Sequence, residues 1–132
     1  MHIKAIYALL GVMVTMAGTS HAAELTAQDL VDYKAAYKKV VDEGYRIFHT
    51  PQGANGVACD MCHPNAADTH PETYPKFQIQ LGKVAALRDM INWCIINPAK
   101  GTAFDANDPR MLALEAYITS ERNGLSLAPG KH

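Results

Sequence analysis

The chain has 132 residues, enough for one domain with a modest core. Its 12 Lys+Arg against 13 Asp+Glu leave no basic field of the kind that holds nucleic acid. Three cysteines, an odd number, do not fit a framework of paired disulfides and ask for another chemistry.

Residues 1–22 read as an export signal. His2 and Lys4 come first, an apolar stretch runs from Ala5 to Gly18, and small residues at Ser20 and Ala22 precede a cut before Ala23. The stretch is short for a bilayer span, so the expectation is a cleaved, periplasmic protein without stable membrane insertion, rather than an anchored one. No cysteine near the cut invites lipid attachment.

From Thr26 to His49 the residues Leu30, Tyr33, Tyr37, Val40, Val41, Gly44, Ile47 and Phe48 recur at spacings of three and four. This predicts one helix with a single apolar stripe, capped by Thr26 with Asp29 three residues on. Residues 23–41 form an N-terminal helical extension, 42–122 the main domain and 123–132 a C-terminal tail. Thr50 to Ala58 is rich in turn formers and reads as a loop that delivers Cys59. The three prolines between Pro64 and Pro75 predict a second, extended loop.

A further helix is expected from about Leu81 to Ile96, with Val84, Leu87, Met90, Ile91, Cys94 and Ile95 on one side and Asn97-Pro98 as its stop. Asp108-Pro109 opens the last helix, which runs to about Arg122 and packs through Met111, Leu114, Tyr117 and Ile118. No alternating strand pattern is visible, so the fold class is all-α.

Cys59-Asp60-Met61-Cys62-His63 is the one strong motif, because C-x-x-C-H attaches haem. Each thiol adds across one haem vinyl group, and the adjoining His63 is placed to bind the iron as proximal ligand. The prediction is one covalent haem c. Competing readings are a dithiol redox motif, which lacks its βαβ setting, a zinc site of Cys59, Cys62, Cys94 and a histidine, and a disulfide, which leaves His63 unexplained. The haem supplies much of the core itself, so without it the helices should be unstable. A loop proline, with Pro75 as first choice, is expected to accept the His63 Nδ1 proton through its carbonyl.

Gly44-x-x-x-Phe48 ahead of C-x-x-C-H resembles the N-terminal helix of class I c-type cytochromes, and Leu114-x-x-Tyr117 resembles the C-terminal helix that crosses it. The resemblance covers about Asp42 to Arg122. It implies a cytochrome c fold in which Gly44 permits close helix contact with Tyr117, and it leaves the helix before Val41 as an extension available for partner docking. The loop PAKGTAFDAND, where the family usually places its distal methionine, contains none. The candidates for the sixth position are Met90, Cys94 and Met111, with a thioether raising the potential and a thiolate lowering it.

Met90 is favoured as the distal ligand of a plain electron carrier, and Cys94 is the alternative. His49, His70 and His132 are weaker candidates, read as surface residues. LRDMINWC and the residues after it are similar to thiosulfate dehydrogenases and related sulfur-oxidation cytochromes, in which a helical cysteine at the position of Cys94 is a ligand. They equally resemble small periplasmic monohaem cytochromes that serve outer-membrane electron conduits, including those of iron oxidisers, where a helix-borne methionine is expected.

The function so implied is one-electron transfer between transient redox partner proteins by a monomer that is not itself an enzyme. Lys34, Lys38, Lys39, Lys76 and Lys100 are available to steer an acidic partner, or simply form a scattered charged surface. The alternatives are a haem subunit of a sulfur-compound oxidising enzyme, with Cys94 as iron ligand, and a small-gas binder with a weakly held sixth site.

Overall fold

The computed structural model describes residues 24–125. The predicted signal at 1–22 and the tail beyond Leu125, including His132, lie outside the described residues. Helix α1 (Ala27–Phe48) begins as its sequence dictates: the Thr26 hydroxyl accepts from the Asp29 amide at 3.1 Å, and the Asp29 carboxylate accepts from the Thr26 amide at 2.9 Å. Helix α3 (Pro109–Glu121) starts behind Asp108, whose carboxylate accepts from the Arg110 amide at 2.8 Å.

The two helices cross at Gly44. A Cβ on that glycine would come within 2.0 Å of the Ala113 carbonyl oxygen and 2.6 Å of the Tyr117 Cβ, so only glycine permits this approach. The Phe48 and Tyr117 rings pack at a tilt beside the crossing, with centroids 5.1 Å apart and planes at 58°, over a core that includes Ile47, Met111, Leu114 and Ile118. Met111 is fully buried in that core. The roles expected for Gly44 and Tyr117 are therefore met in the structure.

Between Cys59 and Thr73 the chain makes three short 3-10 turns, at Cys59–Met61, Pro64–Ala66 and Pro71–Thr73. The prediction of a helix from Leu81 is corrected. Residues 76–85 form an antiparallel hairpin of two strands, β1 (Lys76–Gln78) and β2 (Lys83–Ala85), with Phe77 opposite Val84. Gly82 sits at φ +64° and its amide donates to the Gln78 carbonyl at 2.8 Å, a turn geometry that a helix start does not require. The described residues are mostly helical, with this one small two-stranded sheet beside three helices.

Helix α2 (Leu87–Ile96) begins six residues later than predicted. Asp89 sets that start, because its carboxylate accepts from the Ala86 amide at 2.8 Å. After α2, the Asn92 side chain grips the loop from both sides, donating to the Phe104 carbonyl and accepting from the Phe104 amide, each at 2.9 Å.

Candidate haem site

The C-x-x-C-H segment is a tight turn. The Cys62 and His63 amides both donate to the Cys59 carbonyl, at 3.2 and 3.0 Å. This compact geometry brings two thiols and an imidazole to the edge of one mainly apolar cavity of about 450 Å³, within the range of small-molecule and cofactor sites. Phe48, Ala58, Leu114 and Ile118 form its inner wall, the hairpin contributes Lys76 to Gln80, and α2 contributes Leu87, Met90, Ile91, Cys94 and Ile95.

His63 Nδ1 lies 2.9 Å from the Ala67 carbonyl oxygen. A carbonyl only accepts, so Nδ1 carries the proton and Nε2 keeps its lone pair. The expected orienting partner, Pro75, is thereby corrected to Ala67. The physical reason is local: the Pro64 turn, with Asn65 and Ala66 at positive φ, folds the next residues back onto the imidazole.

All three cysteines are unpaired, so the simple disulfide is not formed. Burial, then the neighbouring Cys94 and Asp60, push the Cys59 thiol up to about 11. A dithiol redox motif works through a thiol whose pKa is lowered, so Cys59 has the wrong electrostatics for that chemistry. Among the described residues, no group of three or more His, Cys, Asp or Glu side chains converges as a metal cluster, so the zinc set that the cysteine count allows is not assembled.

Met90 and Cys94 are one helical turn apart on α2, and both line the cavity with Cys59, Cys62 and His63. The Cys94 thiol is raised by burial first and by Cys62 second, so it lies in the field of the C-x-x-C-H turn. His70 is buried rather than on the surface, with Nδ1 3.3 Å from the Glu72 carboxylate. Neither His49, His70 nor Met111 lines the cavity.

Several residues that shape the site belong to no motif. Gly53 and Gly101 pair across a bridge, and a Cβ on Gly53 would meet the Ala99 carbonyl oxygen at 2.0 Å. The Gly101 amide donates to the Ile95 carbonyl at 2.8 Å, which ties the loop before Cys59 to the end of α2. Two glycines in turn-rich loops were the available signal, but their pairing is a long-range fact.

An apolar cavity edged by two unpaired thiols, with an imidazole whose free nitrogen is Nε2, fits a covalently attached haem. Among the described residues, no helix is long and apolar enough to cross a membrane. Comparison with known proteins agrees with the site. The family described as SoxA/TsdA, cytochrome c domain, matches residues 43–127. The L-cysteine S-thiosulfotransferase subunit SoxA of Rhodovulum sulfidophilum is 29% identical over 105 residues, covering 77% of this chain and 37% of that protein. The chain thus spans little more than a third of its relative's length. With more than half of its residues inside that match, the chain belongs to the SoxA/TsdA cytochrome c domain family, and its cofactor is a covalently bound c-type haem.

Proposed function

We propose that this chain is a periplasmic one-electron carrier whose haem is held by thioether bonds from Cys59 and Cys62, with His63 Nε2 as proximal iron ligand. The observation that carries the reading is the convergence of the C-x-x-C-H turn and one face of α2 on a single apolar cavity. Attachment needs no oxidant, since each S–H adds across a vinyl C=C. The haem, when bound, supplies the chemistry by cycling its iron between ferric and ferrous states.

The residues of the chain do the rest. The Ala67 carbonyl holds the His63 proton on Nδ1 and so keeps the other nitrogen basic. The apolar wall excludes water, which favours the less charged ferrous state. The sixth ligand is a sulfur from α2. Family membership moves the preference from Met90 to Cys94, because the cysteine in LRDMINWC is the residue that resembles a ligand in sulfur-oxidation cytochromes. A thiolate there sets a low potential, and a thioether from Met90 a higher one.

The same preference supports a second reading. The curated relative is a subunit of an L-cysteine S-thiosulfotransferase, so this domain serves as the haem-bearing part of a sulfur-compound oxidising assembly. As a carrier, it would make small and short-lived contacts with its redox partners.

Absorption spectra of the purified holoprotein separate the ligands. Cys94→Ser is expected to abolish the native low-spin ferric spectrum, whereas Met90→Leu leaves it intact. Loss of that spectrum in Met90→Leu alone would return the assignment to the thioether and to the plain shuttle.

A further inference from the structure

Among the described residues, one Lys or Arg side chain lines the cavity, and it is Lys76. It opens strand β1, where the pleat turns Lys76 and Gln78 to one side and Phe77 to the other. Gln78 is buried and Phe77 is 57% exposed, so the side that carries Lys76 is the inward one. The ammonium lies 4.7 Å from the centre of the Tyr74 ring, and the Tyr74 hydroxyl accepts from Gln78 Nε2 at 2.5 Å. The Tyr74 ring, itself held by Gln78 of β1, therefore seats this cation.

What the cation lacks is a counter-charge. Among the described residues no carboxylate lies within the 4.0 Å of a salt bridge from Lys76, and its attraction to Glu72 acts at longer range. Burial disfavours its charged form more than Glu72 restores it. A half-buried ammonium at an apolar cavity is costly unless an anion comes with the occupant. A c-type haem brings two carboxylates, its propionates.

Resting on the haem reading above, we infer that Lys76 is the counter-ion of a haem propionate and holds the reduction potential up. The sign follows from Coulomb's law. A propionate carboxylate attracts the extra positive charge of ferric iron, and the ammonium cancels that attraction, which favours the ferrous state. Lys76 is a positioning and tuning residue, with no part in holding the iron.

The test is a redox titration of the holoprotein, followed through its haem spectrum at fixed pH and salt, for Lys76→Arg, Lys76→Met and Lys76→Glu. The Arg variant is expected within about twofold of the parent equilibrium. The Met variant should shift it by roughly tenfold toward ferric, about 59 mV for a one-electron couple, and the Glu variant further still. Equal potentials across the series overturn the inference, as do Met and Glu variants that move alike or an Arg variant displaced as far as Met. If Lys76→Glu does not accumulate, the Arg and Met pair still reads the sign. A colourless parent protein overturns the haem reading instead, whereas a coloured parent with a flat series overturns only the role of Lys76.

Discussion

Where α1 crosses α3, side chains fill the space: Gly44 lets the backbones touch, and Phe48, Met111, Leu114 and Tyr117 pack beneath them. Beside that crossing, and sharing Phe48 and Leu114 with it, the C-x-x-C-H turn, the hairpin and α2 surround a cavity of about 450 Å³. The first region is completed by its own residues, and the second is completed by a cofactor. Within α1 itself the contrast is as sharp. Leu30 and Tyr33 are 45% and 66% exposed, while Ile47 and Phe48 on the same helix are buried. One apolar stripe thus does two things along its length, and only its C-terminal end belongs to the core.

Two substitutions probe this contrast. Gly44→Ala forces a Cβ against the Ala113 carbonyl oxygen, and backbone cannot swing aside as a flexible side chain can. A loss of about 3 kcal/mol is expected in urea unfolding of the holoprotein, at the upper end of overpacking costs. A neutral Gly44→Ala would mean that the crossing is looser than described. At the other end of the same helix, Tyr33→Ser should change stability by no more than about 0.5 kcal/mol, since the side chain is mostly in solvent and only stacks on Tyr37. A large loss there would reveal that the extension is covered in solution and would erase the contrast.

How far the sequence could be read follows the same division. The Thr26 and Asp108 caps, the stripe of α1 and the Gly44–Tyr117 contact depend on local periodicity, or on a resemblance carried by named residues, and each was legible. The C-x-x-C-H motif was legible because its chemistry is written in five consecutive positions. The hairpin was not, because Val84 and Leu87 continue a helical spacing and Gly82 passes for a residue of a first turn. Only its positive φ and its bond to Gln78 reveal the reversal. The loop prolines point to Pro75 for the carbonyl that faces His63, but positive φ at Asn65 and Ala66 brings Ala67 there instead. Lys76 looked like any surface lysine until β1 placed it at the cavity.

Covalent attachment of the porphyrin through Cys59 and Cys62 is read out by intact mass spectrometry. Protein exported from a host with a working cytochrome maturation system should carry the mass of one haem, retained after denaturation. The double variant Cys59→Ala/Cys62→Ala should carry none. A parent protein at the bare polypeptide mass, or a double variant that still holds haem through denaturation, would rule out thioether attachment at these cysteines.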